Sequence, residues 1–205
     1  MTTMVIRRKT EKKRVAILGW GSLLWEGGDA FDQWHGPWRF DGPVLKIEFG
    51  RVSSRRLGAL TLVIDAQYGS PIQVAWCLSK RASLDDAASD LRAREETTID
   101  RVAGLELKRS GDLVTDEPAA TIATWTKAKR LDAVVWTALG GNFSKEAGVP
   151  FSVAAAVHYV KTLTAAGKAK AAEYVWRAPD FVDTPLRAAL QQEPWFEKPS
   201  KPPAS

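Results

Sequence analysis

Residues 15–25 read Val-Ala-Ile-Leu-Gly-Trp-Gly-Ser-Leu-Leu-Trp, an apolar run that breaks into a turn with two glycines. The first four residues predict a buried strand, because they form a short, continuous apolar run. Gly19 and Gly21 then allow the backbone to turn sharply where a side chain would obstruct it. Successive backbone N–H groups in such a turn can hold an anion or a developing oxyanion. We therefore predict that the segment Gly19–Leu23, here called the glycine turn, binds an anionic group.

A predicted helix begins after Ser83 and ends near Glu95, in the sequence Leu-Arg-Ala-Arg-Glu-Glu at residues 91–96. Ser83 is a typical N-cap, and two aspartates follow in the first turn, where the helix dipole favours acids. Apolar residues recur on one stripe of this helix, at Leu84, Ala88 and Leu91. Glu95 falls on the same stripe, whereas Glu96 lies about 100° further round, toward solvent. The periodicity therefore predicts a carboxylate on the buried side of the helix.

A buried carboxylate at residue 95 is costly unless it is paired, protonated or used in chemistry. Two structural explanations stay open: the helix has frayed by residue 95, or Glu95 pairs with Arg92 or Arg94. The functional explanation is that burial raises the pKa of Glu95 and makes it a stronger base near neutral pH. Glu96 is a rival for that role, although its outward angle disfavours it.

The composition predicts one globular domain with short extensions. Of the 205 residues, 45% are hydrophobic and 26% are charged, as in ordinary soluble proteins. We expect a basic flexible arm at 1–13, a single domain at 14–192 and a Pro/Lys-rich tail at 193–205. The tail is expected to be ordered only as far as Trp195 and Phe196.

The net charge of +5 has a local origin. Residues 1–14 hold six basic side chains and one acidic side chain, and the rest of the chain holds 23 of each. We therefore expect no nucleic-acid partner; a basic arm that binds nucleic acid stays an alternative, which predicts salt-dependent binding. No apolar stretch approaches the roughly 18 residues of a membrane span, and the N-terminus lacks the apolar region of a signal peptide. The single cysteine, Cys77, forms no internal disulfide, so we expect a cytoplasmic protein without a membrane partner.

Metal-ligating and nucleophilic residues are scarce. Two histidines, His35 and His158, and one cysteine are too few for a metal site of familiar spacing. The glycine turn lacks the third glycine of a dinucleotide-binding motif, and Ser22 lacks the Gly-x-Ser-x-Gly setting of a serine nucleophile. We therefore predict neither a metal nor a cofactor, and we interpret Ser22 as a turn residue or hydrogen-bond donor.

Strand-like runs come first along the chain and helical stretches come later. Strands are expected at 15–18, 44–53, 59–64 and 72–78, and near 104–108, 121–125 and 133–136. Helices are expected at 153–165, 169–174 and 184–191, after the helix that begins at Ser83. This pattern predicts an α+β fold, with a mixed, mostly antiparallel sheet or a partly closed β-barrel flanked by helices.

The glycine turn resembles the signature loop of the γ-glutamylcyclotransferase-like superfamily, which includes ChaC-type and AIG2-like proteins. Its residues are Gly19, Trp20, Gly21, Ser22 and Leu23, followed by Leu24 and Trp25. The ChaC-type loop is similar: it reads Tyr-Gly-Ser-Leu, then an aliphatic residue and Trp. The resemblance continues in Arg55-Arg-Leu-Gly58 before one strand, and in Val74-Ala-Trp76 before the helix that ends Arg94-Glu95. It covers roughly residues 14–110, and only the order of strands and helices agrees from 120 to 190.

The resemblance implies the superfamily fold and a cofactor-independent enzyme that cyclises a γ-glutamyl peptide or amine to 5-oxoproline. In this chemistry the α-amine of the substrate attacks its own γ-carbonyl, and an amine leaves. Glu95 matches the catalytic glutamate of the family, and the glycine turn would bind the carboxylate end of the substrate. Arg51, Ser53 and Arg55 would supply polar contacts at the mouth of the site, with strand-surface or salt-bridge roles as alternatives.

Two positions depart from the family pattern. Trp20 stands where the family usually has tyrosine, and Thr97-Thr-Ile-Asp100 follows Glu95-Glu96 in place of the Gly-Gly-Tyr of ChaC proteins. These departures favour a γ-glutamyl amide or amine other than glutathione. They also leave open a non-catalytic module of the same fold that binds a small carboxylate.

Overall fold

Two β-sheets form the centre of the fold in a computed structural model that describes residues 12–107 and 117–199. The strands are β1 (Val15–Gly19), β2 (Val44–Ser53), β3 (Ala59–Ile64), β4 (Ser70–Gln73), β5 (Ala75–Leu78), β6 (Val102–Glu106) and β7 (Ala133–Thr137). One sheet has the order β5-β1-β7-β6, and the other has the order β3-β2-β4. The β1–β7 pair is parallel and the other pairs in these sheets are antiparallel. Across the described residues the strands thus form two sheets and no closed barrel.

Helices cover the sheets; in the part of the chain that the structure describes, three of them lie between strands and the other four follow the last strand. They are α1 (Asp29–Asp32), α2 (Leu84–Arg94), α3 (Ala119–Ala128), α4 (Phe143–Ala147), α5 (Val153–Thr162), α6 (Ala165–Arg177) and α7 (Pro185–Gln192). Ser83 caps α2, as predicted, because its hydroxyl accepts a hydrogen bond from the backbone N–H of Asp86. Side chains of the same kind cap α5, α6 and α7, at Ser152, Thr164 and Thr184. The α+β class is confirmed, with mixed and mostly antiparallel pairing.

Two strand predictions are wrong. The expected strand at 72–78 is divided into β4 and β5, which belong to different sheets. Val74 marks the division, because its N–H donates to the carbonyl of Pro43 and its carbonyl accepts from the N–H of Gly42. The expected strand at 121–125 is part of α3. Its β-branched residues suggested a strand, but burial of Ile122 and Thr126, four residues apart, follows the helical period.

Helix α2 lies on the four-stranded sheet and determines where Glu95 is placed. It packs against β1, β6 and β7, and its buried residues are Ala87 and Leu91. Because β1 and β7 are parallel, their carboxyl ends, Gly19 and Thr137, lie at the same edge of this sheet. Arg94, the last residue of α2, donates to the carbonyl of Ser22, so the C-terminus of α2 lies near the edge where the glycine turn begins.

The chain ends fall partly outside the described residues. The predicted basic arm at 1–13 lies outside them except for its last two residues, and the predicted tail is described only through 199. Within the tail, Phe196 is buried in the main hydrophobic core and Trp195 packs against it. Among residues 12–107 and 117–199, none of the helices has the length and apolar composition that a membrane crossing requires.

Candidate active site

The glycine turn and the end of α2 line one cavity of about 640 Å³. The turn supplies one wall, and Glu95, Glu96 and Thr97 line the cavity from the end of α2. The volume lies within the range of small-molecule sites, roughly 300–1,000 Å³. Most of the lining surface is polar, so this cavity is suited to a small, charged ligand.

A short 3-10 turn at Ser22–Leu24 follows the two glycines and presents backbone donors to the cavity. Gly21 is its N-cap, with φ −123° and ψ −147°, and the N–H of Leu24 donates to the Gly21 carbonyl at 3.0 Å. The first N–H groups of a helical turn have no partner within it. Those of Gly21 and Leu23 make no hydrogen bond to another residue in 12–107 or 117–199. Both residues line the cavity, so these N–H groups are available to an anionic ligand.

Glu95 is the C-cap of α2 and is partly buried. Its N–H donates to the carbonyl of Leu91 at 2.9 Å, and its own carbonyl accepts a hydrogen bond from Arg55 Nη1 at 3.2 Å. The helix is therefore hydrogen-bonded up to its end at Arg94 and is not frayed there. Among the described residues no cation lies within ion-pair distance of the Glu95 carboxylate, so it pairs with neither Arg92 nor Arg94.

Burial raises the pKa of Glu95 above its ordinary value of 4.5. The charges of Arg94, Arg55 and Arg56 act in the opposite direction, and the charge of Glu26 adds to the rise. The arginines do not outweigh the loss of hydration. A carboxyl of this kind takes up a proton more readily near neutral pH than an exposed glutamate does.

Glu96 occupies a different environment from its neighbour. Its backbone has a left-handed φ of 46°, and its exposed carboxylate forms an ion pair with Arg55 Nη2 at 2.9 Å. Arg55 therefore contacts both residues: it holds the Glu95 carbonyl and the Glu96 carboxylate. The predicted exposure of Glu96 is confirmed, although the helix ends before this residue and Glu96 lines the same cavity as Glu95.

A buried tyrosine, which the sequence did not point to, supports the glycine turn. Tyr174 of α6 is 4% exposed, and its hydroxyl oxygen accepts a hydrogen bond from the backbone N–H of Leu62 at 3.4 Å. Burial raises the pKa of Tyr174 to about 12, so it is a neutral phenol. A Cβ added to Gly21 would lie 2.6 Å from the Tyr174 hydroxyl oxygen, so this close approach requires glycine.

Arginines also surround the turn. Arg56 donates two hydrogen bonds to the Glu26 carboxylate, at 2.7 and 2.6 Å, and its guanidinium lies over the Tyr174 ring at 4.8 Å from the ring centre. Arg94 Nη2 donates to the carbonyls of Ser22 and Glu26. Arg56 belongs to the segment Arg55-Arg-Leu-Gly58 that resembles the superfamily, and this resemblance could have indicated it as a site residue. No comparable pattern marks Tyr174, because an aromatic residue on a helix usually belongs to the hydrophobic core.

The remaining predicted site residues line the cavity too. Arg51, Ser53 and Arg55 line the cavity together with the glycine turn, and Arg51 Nη1 donates to the carbonyl of Gly140 at 3.0 Å. Cys77 does not line it: it is fully buried in β5, and burial raises the pKa of its thiol.

Neither histidine lines the cavity. His35 lies in a loop, where Nδ1 hydrogen-bonds the carbonyl of Gly36 at 2.6 Å, and His158 lies within α5. In residues 12–107 and 117–199, no three His, Cys, Asp or Glu side chains are grouped so that they could hold a metal ion.

No family model, curated protein or solved structure matches this chain. Its chemistry must therefore be inferred from the cavity. That cavity combines backbone donors, a carboxyl with a raised pKa and several guanidinium groups, of which only some are paired with carboxylates.

Proposed function

We propose that this chain is a γ-glutamylcyclotransferase-like enzyme, which cyclises a γ-glutamyl peptide or amine to 5-oxoproline and releases the amine. The observation that carries the proposal is that the Glu95 carboxylate and the backbone donors of the glycine turn line one cavity. The α+β architecture and the resemblance of residues 14–110 to that superfamily support it as well. The substrate is a small molecule, and the reaction needs no cofactor.

Glu95 acts as general base and then as general acid. It takes a proton from the α-ammonium of the substrate, and the freed amine forms a C–N bond to the γ-carbonyl carbon. As the carbonyl re-forms, the C–N bond to the leaving amine breaks, and that nitrogen receives the proton from Glu95. The surplus proton of the ring nitrogen passes to the released amine, which departs as an ammonium ion. The raised pKa of Glu95 suits both transfers, because such a group can accept and release a proton near neutral pH. No protein nucleophile is needed, since the folded substrate supplies its own.

The glycine turn holds the carboxylate end of the substrate and helps to place the reacting carbonyl. The N–H groups of Gly21 and Leu23 are its donors, and the buried hydroxyl of Tyr174 lies against Gly21 and limits how the backbone can move there. Donors that are already in place stabilise developing negative charge without reorganisation.

The direct test is a 5-oxoproline assay with a panel of γ-glutamyl peptides and amines. The informative variant is Glu95→Gln, and the matched control is Glu96→Gln, which removes the neighbouring exposed carboxylate. We expect product from the wild type and from Glu96→Gln, and at least a 100-fold loss of kcat in Glu95→Gln. Circular dichroism and thermal unfolding should show that both variants fold. Equal activity in Glu95→Gln, or no product from any substrate, would overturn the proposal.

One observation favours a second candidate, a non-catalytic module that binds a small carboxylate. Trp20 is 6% exposed and packs in the core, so this position provides no hydroxyl group where the family usually has tyrosine. The module predicts that calorimetry detects binding of γ-glutamyl compounds while no member of the panel gives 5-oxoproline.

A further inference from the structure

The charged groups that line the cavity differ in how they are paired. Several of them form ion pairs with each other: Glu26 with Arg56, Glu96 with Arg55, and Glu173 with Lys170. Arg51 and Arg101 do not follow this pattern. Arg51 donates to a backbone carbonyl, and neither arginine lies within 4 Å of a carboxylate among the described residues.

Arg51, in β2, and Arg101, directly before β6, line the same cavity. Burial and the charge of Arg101 lower the pKa of Arg51, and the charge of Glu146 opposes this. Both guanidinium groups remain charged at neutral pH because arginine is so basic. One acid beside two such groups leaves an excess of positive charge in this part of the cavity. Two guanidinium groups in this arrangement are suited to an anion, which they can bind with charge-assisted hydrogen bonds.

The sheet register shows how far this positive group lies from the glycine turn. Ile17 of β1 pairs with Val135 of the parallel strand β7, so two residues later Gly19 is level with Thr137. Thr137 in turn pairs with Val102 of β6. Arg101 immediately precedes Val102. It is therefore displaced from the start of the turn by two strand spacings, roughly 10 Å.

A γ-glutamyl amino acid can span most of this distance. Seven bonds separate its two carboxylate carbons, which lie at most roughly 8–9 Å apart in an extended chain and closer when the glutamyl part folds for cyclisation. With one carboxylate at the glycine turn, the leaving amine points toward the two arginines, and a flexible arginine side chain covers the remaining distance. A neutral leaving amine would leave both guanidinium groups without an anionic partner among the described residues.

We propose that Arg51 and Arg101 form a second anion subsite, which binds an acidic group, a carboxylate or a phosphate, on the leaving amine. This inference rests on the proposed function and narrows its substrate class to γ-glutamyl compounds of acidic amines. Arg51 was expected to supply a polar contact at the mouth of the site. Arg101 is identified only from the structure, by the register of β6 with β7.

The test compares kcat/KM for matched substrates. The acidic ones are γ-glutamylglycine and γ-glutamyl-O-phosphoethanolamine, which separate carboxylate from phosphate, and the neutral ones are γ-glutamylethylamide and γ-glutamylethanolamine. We expect the wild type to favour one acidic substrate by about 10- to 100-fold. Arg51→Gln and Arg101→Gln should each raise KM for that substrate about 10-fold and leave the neutral substrates nearly unchanged. The control is Arg92→Gln, which removes an exposed arginine outside the cavity and should keep the preference.

The two proposals fail in different ways. If the wild type turns over acidic and neutral substrates equally, the proposed subsite is disproved, whereas the proposed enzymatic activity is supported. If no substrate is turned over, the enzyme proposal fails, and titration with inorganic phosphate followed by NMR still tests the subsite. Phosphate binding that weakens in both Arg51→Gln and Arg101→Gln supports an anion site, and binding that is absent or unchanged overturns it.

Discussion

Arg94 Nη2 donates a hydrogen bond to the backbone carbonyl oxygen of Ser22, at 3.4 Å, which joins the last residue of α2 to the glycine turn. The same nitrogen also donates to the carbonyl of Glu26, and Arg94 Nε is buried without a partner among the described residues. Glu95 follows Arg94 directly in the chain. The proposed base and the proposed anion-binding backbone are therefore held together by one guanidinium group.

Loss of this guanidinium should affect both stability and the pH profile. In Arg94→Met two carbonyls lose a donor, so we expect the free energy of unfolding to fall by about 1–3 kcal/mol. The charge of Arg94 is the largest electrostatic influence that lowers the pKa of Glu95, so the acid limb of kcat/KM should move to higher pH. Arg94→Lys keeps the positive charge, so the acid limb should return to its wild-type pH. The free energy of unfolding should still be lower than that of the wild type. An unmoved limb in Arg94→Met would argue against this role.

The wild-type pH profile should show the raised pKa of Glu95. The carboxylate is the active form of the base, so kcat/KM should fall as the pH decreases through the pKa of the folded protein. That midpoint should lie above the ordinary value of 4.5, because burial favours the protonated form. Arg55→Gln removes another charge that lowers this pKa and should move the midpoint higher still. A midpoint at or below 4.5 in the wild type would contradict the assignment.

The contact between Gly21 and Tyr174 can be measured with a double-mutant cycle. Gly21→Ala places a methyl group 2.6 Å from the Tyr174 hydroxyl oxygen and should cost roughly 1–3 kcal/mol of stability. Tyr174→Phe removes the acceptor of the Leu62 N–H and should cost about 1 kcal/mol. The double variant should lose less than the sum, because phenylalanine makes room for the methyl group. Additive losses in urea unfolding would show that the two residues do not interact.

A buried glutamate in the core should make stability depend on pH. Glu48 is 1% exposed, and its carboxylate accepts hydrogen bonds from Phe49 N–H (2.8 Å) and Thr184 Oγ1 (2.7 Å). Burial raises the pKa of Glu48 despite these bonds. Because the folded pKa exceeds the unfolded one, the contribution of Glu48 to stability is fully present below about pH 4.5. It is lost as the pH rises through the folded pKa.

Glu48→Gln keeps the acceptor oxygen without the charge. We expect it to raise the free energy of unfolding by about 1 kcal/mol at pH 8, with the difference disappearing at acidic pH. Glu48→Leu should instead cost about 1–3 kcal/mol, because it leaves Phe49 N–H and Thr184 without their partner. If the difference in unfolding free energy between Glu48→Gln and the wild type did not change with pH, residue 48 would not titrate as described.

Local patterns in the sequence were sufficient for the first part of the fold. The runs at 44–53 and 59–64 match β2 and β3 in both bounds, because each is β-rich and ends at a turn. Residues 121–125 were mistaken for a strand, since β-branched residues favour strands only where tertiary packing agrees. The division of 72–78 between two sheets depends on contacts with Gly42 and Pro43, which no local pattern shows.

The site was predictable where a residue breaks its own local pattern. Glu95 is an acid on an apolar stripe, and the glycines interrupt a strand, so both were visible before the structure. Tyr174 and Arg101 obey their local patterns and are brought to the cavity only by the packing of α6 and by the register of β6 with β7. Residues of this kind can be found only after the strands have been paired.

The position of Glu95 as the C-cap of α2 has a consequence for how its basicity arises. Aligned peptide dipoles give the carboxyl terminus of a helix a partial negative charge, which disfavours a nearby carboxylate by about 0.3–1 kcal/mol. The main chain itself therefore increases the proton affinity of this residue. No side-chain replacement removes that contribution, and only a change in the length or direction of the helix would.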